Sequence, residues 1–460
     1  MTRYVAVIDI GKTNAKVALV DLGEMREIAM RTRPNSVLRD GPYPHFDVEA
    51  LWDFVLGGLA GVRREHPVDA ISVTTHGATA ALLDAQGNLA LPVLDYEHTG
   101  PDTLAAEYAA VRPSFEETGS PRLPAGLNVG AQIFWQAKTF PRAFAGVASI
   151  VMYAQYWSHR LSGVLANEVT SLGCHTDLWN PAACEYSSLV SGQGWRALMA
   201  PVRPARHRLG SVLPEIAKKT GLAPGTPVHC GIHDSNASLL PHLLSRAKPF
   251  AVVSTGTWVV SMAVGGRPVS LDPTRDTLIN VNALGDPVPS ARFMGGREFE
   301  TLMNGRSTHW EEADLREVLS SGVMLLPAVQ RGSGPFGTLK AHWAPSEPQA
   351  DAKRAVAASF YLALMTATCL DLIGADGPTV VEGPFARNAA FVRMLAAATR
   401  RPAVADAAAA TGTSVGAALL AAPEGFPVMP SHSASRLDPE DWSDYVERWR
   451  SAVGEMAHPQ

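Results

Sequence analysis

Apolar residues recur along this chain with two alternating periods, and the alternation predicts an α/β protein. From Tyr4 to Asp21, Val5-Ala6-Val7-Ile8 and Lys16-Val17-Ala18-Leu19-Val20 read as two strands joined by the polar turn Asp9-Ile10-Gly11-Lys12-Thr13-Asn14. After Asp47, a residue suited to cap a helix, Val48, Leu51, Trp52, Val55, Leu59 and Val62 keep the helical period and would bury one face. Pro67 interrupts, and Ala70-Ile71-Ser72-Val73-Thr74 is again strand-like. A helix followed closely by a strand is the grammar of an open α/β sheet, whose ligand sites lie beyond the carboxyl ends of strands. His76 and Gly77 stand at such an end.

The middle of the chain, from about Asp95 to Pro227, is rich in Trp, Pro and short polar runs, and only helices around Gln132 to Phe140 and Tyr153 to Leu161 are predicted there. Order returns with the strand-like run from Pro227 to Asp234, which leads into a helix predicted over Ser235 to Leu244. Arg246-Ala247-Lys248-Pro249 reads as a domain junction, and Phe250 to Ser261 repeats the opening theme of strand, Thr/Gly turn and strand. Next come a long apolar helix over Ala352 to Ile373, the strand Thr379-Val380-Val381, and Glu382-Gly383-Pro384-Phe385-Ala386-Arg387-Asn388 opening a helix to about Thr399. A last Gly-led helix, Ser414 to Ala421, precedes a polar tail. Two halves of similar grammar predict a duplicated architecture with domains 1–245 and 246–460 and a cleft between them.

Composition narrows the function classes. The 460 residues are 46% apolar and 18% charged, as expected of a chain that folds throughout. Lys and Arg number 39 against 44 Asp and Glu, with no basic run built to neutralise phosphates, so nucleic acid is not an expected partner. Cys174, Cys184, Cys230 and Cys369 are scattered and form no CxxC, which argues against a zinc knuckle or a disulfide framework and for a reducing compartment. No secretory leader is recognisable at Met1 to Ile10, and charged residues, Gly or Pro break every long apolar stretch. A soluble, cytoplasmic protein without a membrane partner is expected, and a homodimer is compatible with the sequence.

The polar turns carry the candidate chemistry. A loop of Gly, Thr and Asn between strands offers backbone N–H groups, hydroxyls and an amide to phosphate oxygens, although ordinary turn chemistry selects the same residues. Gly11, Thr13 and Asn14 form one such loop and Ser254-Thr255-Gly256-Thr257 a second. Asp9 could hold a hydrated Mg²⁺ through a water. Gly11-Lys12-Thr13 is not a P-loop, because that motif requires glycine where Ala6 stands and a helix where a strand is predicted. Asp234 is either a helix cap or a carboxylate placed to take a proton.

Five segments carry a resemblance when taken in order: Asp9-Ile10-Gly11-Lys12-Thr13-Asn14-Ala15-Lys16, Gly231-Ile232-His233-Asp234, Ser254-Thr255-Gly256-Thr257-Trp258, Glu382-Gly383-Pro384 with Arg387-Asn388, and Gly412-Thr413-Ser414-Val415-Gly416-Ala417-Ala418. In order and spacing the chain resembles the FGGY carbohydrate kinases along nearly its whole length. The resemblance implies two actin-like (ribonuclease H-like) α/β domains with an interdomain cleft, a small-molecule sugar substrate, and ATP with Mg²⁺ as cofactors. It implies Asp234 as catalytic base. Gly11, Lys12, Thr13, Asn14 and Lys16 are implied for the first phosphate loop, Thr255, Gly256 and Thr257 for the second, and Gly383, Pro384 and Asn388 for the adenosine turn. The family usually shows Gly-Gly at that turn, where this chain has Gly-Pro, and a small residue where Lys12 stands.

His76-Gly77-Ala78-Thr79 is similar to the sugar-contacting segment of xylulose kinases, with Thr75 in place of methionine, whereas a lone histidine after a strand is more often structural. His233, Glu97 and Asn128, with Phe46, fall in regions that line the sugar site of similar kinases. Arg331 resembles a family loop and equally fits a solvated arginine. Thr13-Asn14, His233-Asp234-Ser235 and Gly256-Thr257-Trp258 are more similar to rhamnulose and fuculose kinases. The expected activity is ATP-dependent phosphorylation of a ketose such as L-fuculose or L-rhamnulose at a terminal hydroxyl. A ketopentose kinase, a non-catalytic sugar or nucleotide sensor, and an actin-like ATPase that moves a protein partner are the alternatives.

Overall fold

The computed structural model describes residues 2–406, 412–428 and 435–457 and divides into two compact units. The first comprises residues 1–245, 279–287 and 411–429, and the second residues 246–278, 288–410 and 430–460.

In the first unit the opening apolar runs pair as an antiparallel hairpin, Tyr4–Ile10 with Asn14–Asp21, and Arg26–Pro34 extends it. Tyr4–Ile10 pairs on its other side, in parallel, with Ala70–Thr75. Between them lies the helix Val48–Glu65, whose Asp47 side chain accepts from the Ala50 N–H as a cap. Its buried stripe of Val48, Leu51, Val55, Leu59 and Val62 packs on Val17 and Leu19 of the hairpin in one apolar core. Ala70–Thr75 pairs in parallel with Pro227–His229 and with the short Ile232–His233. The weakly patterned middle supplies Val129–Thr139, three residues longer at its start than expected, and Tyr153–Ser162.

The second unit repeats the arrangement. Phe250–Thr255 is antiparallel to Val259–Val264 and parallel to Thr379–Glu382, which is parallel to Ala403–Asp406. The helix Asp351–Leu372 is the one element among the described residues long and apolar enough to cross a membrane, and 83% of its apolar window is buried inside the fold, as in a core helix. The helix expected to begin at the Glu382–Asn388 turn starts later, at Ala389, because Gly383 and Pro384 first form a single 3₁₀ turn.

The polar tail is the clearest correction. Within it Ser435–Leu437 is a strand and Ser443–Ala457 a helix, while residues 429–434 and 458–460 lie outside the described part. Tyr445, Val446, Trp449 and Val453 form the buried stripe of that helix, and the charged positions between them hide it in composition. Trp449 is buried and donates from Nε1 to the Leu325 carbonyl at 2.8 Å. Trp449→Ala should therefore lower stability by about 3 to 5 kcal/mol, as for a large aromatic removed from a core. Chemical denaturation checks this, and a loss below 1 kcal/mol would show the tail to be dispensable.

Candidate functional site

Register places the site residues of the first unit. Asp9 lies opposite Thr74 and Ile10 opposite Thr75 on one side, while His233 lies opposite Thr75 on the other. Three parallel neighbours thus end at one level, and Asp9, His76 and Asp234 emerge at that carboxyl edge. Asp234 is itself the first residue of its helix, Asp234–Ser245, one earlier than expected. Its carboxylate, about a third exposed, accepts from the Ser235 N–H at 2.6 Å and lies 3.1 Å from His233 Nε2. Burial alone would raise the Asp234 carboxyl, but the His233 charge outweighs it and holds the group below the usual carboxylate range.

Asp9 behaves oppositely. Burial, with a smaller contribution from the Asp234 charge, pushes its carboxyl up to about 6 against the pull of Lys16. Lys16 Nζ is 3.7 Å from Asp9 and 2.7 Å from Glu27. The buried Asp9 carboxyl, raised in part by the neighbouring Asp234 charge, suits a hydrated divalent cation, which would relieve that repulsion, so Asp9 fits Mg²⁺ arriving with a nucleotide. Among the described residues no group of three or more His, Cys, Asp or Glu side chains is arranged as a metal cage.

The first loop has Gly11 donating to the Asn14 carbonyl at 2.9 Å, with Asn35 bracing Gly11 and Thr13 from behind. Thr13 and Asn14 are exposed. Lys12 turns elsewhere. Its ammonium pairs with Asp95 and, at 3.3 Å, with Glu97, and lies 5.2 Å and 4.8 Å from the ring centres of Phe46 and Tyr96. In this structure Lys12 thus joins the residues expected to face sugar rather than those of its own loop. Glu97 is 67% exposed at its side chain.

His76 is buried among Phe46, Tyr153 and Tyr96, whose ring centres lie 5.2, 5.1 and 5.4 Å away. Burial pushes its imidazole down to about 4, so it is neutral at neutral pH. Nδ1 lies 2.8 Å from the Gly77 carbonyl and must carry the hydrogen, which leaves Nε2, without a partner, as an acceptor for a hydroxyl. Gly77 itself is needed for space, since a Cβ there would sit 2.8 Å from His233 Nε2 and 3.2 Å from Cys174 Sγ.

Two of the expected ligand residues make scaffold bonds. Asn128 is fully buried, its side chain accepting from the Leu123 N–H and donating to the Pro121 and His175 carbonyls. In the second unit Asn388 caps its helix through the Phe391 N–H at 3.1 Å and donates to Ser359. Thr255 Oγ1 donates to the Glu382 carbonyl and accepts from the Phe385 N–H, tying its strand to the Glu382–Asn388 turn. Gly383 has φ +80°, and a Cβ there would lie 2.0 Å from the Thr255 carbonyl. Gly256 faces open space, with nothing nearer its would-be Cβ than the Trp258 carbonyl at 3.9 Å, while Thr257 accepts from the Arg297 N–H at 3.4 Å. Pro384 opens the 3₁₀ turn, and Arg331 is exposed.

Asp95, Tyr96 and Cys174 come from the part of the middle region where no period marks the backbone, and Tyr153 from the first turn of a helix the period predicts, none of them marked by a motif.

This duplicated α/β design, with polar loops at matching strand edges, is that of the actin-like sugar kinases, and the comparisons agree. The model of the FGGY family of carbohydrate kinases, N-terminal domain, matches residues 4–241, and that of the carbohydrate kinase FGGY C-terminal domain matches residues 247–428. The chain belongs to the FGGY family of carbohydrate kinases. A carbohydrate kinase from Novosphingobium aromaticivorans is 38% identical over 99% of both chains with a TM-score of 0.91. A xylulose kinase from Lactobacillus acidophilus, 13% identical with a TM-score of 0.82 over 99% of both chains, shares the fold. The L-fuculokinase of Salmonella typhi is 26% identical over 282 residues, 57% of each chain, and a probable L-xylulose kinase of Pasteurella multocida is 28% identical over 279, 57% of this chain and 56% of its own. The chain thus spans little more than half the length of these curated relatives.

The helix that begins with Asp234 is held by close backbone contact with Gly412–Leu419, where a Cβ at Gly416 would fall 1.7 Å from the Ala237 carbonyl. Gly416→Ala should therefore cost about 1 to 3 kcal/mol, the scale of overpacking, and lower turnover by moving Asp234. Denaturation with parallel kinetics checks both, and a variant of unchanged stability would deny the close contact.

Proposed function

We propose that this protein transfers a phosphoryl group from ATP to a terminal hydroxyl of a small ketose, with L-fuculose or L-rhamnulose as the favoured class of substrate. The observation that carries the reading is the Asp234 carboxylate, half-open at the strand edge and held ionised by His233, beside the free Nε2 of His76. Phosphoryl transfer to an alcohol needs an ionised carboxylate to orient the hydroxyl and accept its proton as the new O–P bond forms. His76 accepts a bond from a second hydroxyl, and Asp95 and Glu97, oriented by Lys12, offer acceptors to others. The exposed Thr13 and Asn14 of the first unit, and the exposed Thr257 beside the open space at Gly256 in the second, are suited to phosphate oxygens. Mg²⁺ near Asp9 would supply charge neutralisation between the phosphates when bound.

The aromatic lining around His76 favours a sugar that carries an apolar methyl group, and the L-fuculokinase relative points the same way. The unpartnered His76 nitrogen and the L-xylulose kinase relative favour a ketopentose instead. A sensor would have no use for an ionised carboxylate at this place.

Asp234→Asn should leave ATP binding nearly intact and lower kcat by roughly 10² to 10⁴, the range for loss of a positioned base. Wild-type turnover in the folded variant would remove Asp234 from the reaction. In a panel of ketoses read by coupled ADP release, L-fuculose or L-rhamnulose should exceed xylulose and ribulose in kcat/KM by about tenfold, the scale set by one unmet polar contact. The reverse order would identify a ketopentose kinase, and ADP release without any sugar a simple ATPase.

A further inference from the structure

We propose that Lys12 is a positioning residue for the sugar and not a phosphate ligand: its ammonium holds the Asp95–His98 turn beside His76, in a site that accepts a neutral polyhydroxyl sugar and refuses a sugar acid. The inference rests on the reading of the His76 surroundings as the sugar site of a kinase.

Two separate stretches of the first unit meet at this ammonium. The backbone on either side of Lys12 is fixed, since Asn35 donates to the Gly11 and Thr13 carbonyls, each at 2.8 Å. The side chain leaves that loop and is mostly buried. Its Nζ donates to Asp95 Oδ1 and lies 3.3 Å from Glu97 Oε2. The same Asp95 oxygen accepts the Glu97 N–H at 3.2 Å, and the Asp95 carbonyl accepts the His98 N–H at 2.9 Å. Lys12 is thus bonded to the carboxylate around which the turn is built.

The aromatic rings join this cluster to His76. Phe46 and Tyr96 lie 5.2 and 4.8 Å from the ammonium, and their ring centres lie 5.2 and 5.4 Å from that of His76. Lys12 and His76 therefore share one aromatic wall. His76 is only 7% exposed and its Nε2 is buried without a partner, which is costly unless a ligand hydroxyl meets it.

The chemistry of the cluster separates two ligand classes. An ammonium has three donors, and two of them are directed at Asp95 and Glu97, so a phosphate approaching Lys12 would face two carboxylates already gathered on it. A carboxylate has about four acceptor sites, so both retain lone pairs for the hydroxyls of a sugar. Asp234 is near enough for its charge to act on His76 and Tyr96, which sets three carboxylates against the one ammonium. A carboxylate on the ligand would add like charge there, whereas neutral hydroxyls find acceptors.

The test compares the whole protein with Lys12→Met and with the double variant Lys12→Met/Asp95→Asn. Coupled ADP release is measured on L-fuculose, L-rhamnulose, xylulose, ribulose, L-fucose and D-gluconate, and stability is followed by denaturation. The wild type should use gluconate at least about 10²-fold less efficiently than its best sugar. On that best sugar Lys12→Met should raise the sugar KM by about tenfold or more with the ATP KM unchanged, as for the loss of charge-assisted positioning. It should also lose stability, because Asp95 is left buried without its counter-charge. The double variant removes both charges and should regain the stability while keeping the raised sugar KM. A rise in the ATP KM instead would return Lys12 to the phosphate loop and overturn the proposal. Recovery of the sugar KM together with stability in the double variant would overturn it too, by making the pair structural only, as would gluconate as the preferred substrate. If L-fucose, an aldose, proves best, the ketose reading fails while the KM split on that sugar still supports or overturns the role of Lys12.

Discussion

The candidate site depends above all on the parallel pairing of Ala70–Thr75 with a strand on each side. Parallel neighbours can end at the same level, and here Ile10 and His233 both lie opposite Thr75. A slip of one residue in either ladder would turn Asp9 or His233 to the opposite face of the sheet. The register is secured by burial on both faces, since every residue of Ala70–Thr75 is buried. Sheet packing therefore sets the distance between the groups at the edge, and loop chemistry is added to a fixed frame.

That frame concentrates charge at an unusual density. Asp9, Asp234, His233, Cys174 and Glu168 lie close together, and burial works against each of them when charged. Such groups are tolerable only in pairs. The pairs differ in kind. His233 holds the Asp234 carboxyl below its usual range against burial, whereas Asp9 shares Lys16 with Glu27 and burial lifts its carboxyl to about 6. The uneven balance leaves the edge short of positive charge on the Asp9 side, where a cation carried by a nucleotide would complete it.

Much of this was legible in the sequence, for a physical reason. Elements whose burial is one-sided or complete leave a period, so the hairpins, the helix Val48–Glu65 and the strand at Ala70 could be read from it. The polar turns between strands could be read as turns as well, because few residue types suit them, while the roles of their residues came from the family resemblance alone. Asn128 and Asn388 show the limit: the scaffold bonds their amides make leave no mark in composition or period. Lys12 shows another, since its direction is set by Asp95 and Phe46, far away in the chain. The tail helix escaped because four apolar residues among charged ones are too sparse to register as composition.

The repeated topology of the two units also explains how the chain can carry Gly-Pro where its family usually has Gly-Gly. In the second unit Gly383 runs so close to the neighbouring strand that a Cβ would lie 2.0 Å from the Thr255 carbonyl. Proline at the next position takes the first place of a 3₁₀ turn, where its fixed φ suits the chain and an N–H would have no partner within the turn. The donor that matters to the fold is the following one, Phe385, whose N–H is bound to Thr255 Oγ1. The exchange therefore costs the turn none of its own hydrogen bonds. What it removes is the N–H at the first place of the turn, and the scaffold is left intact.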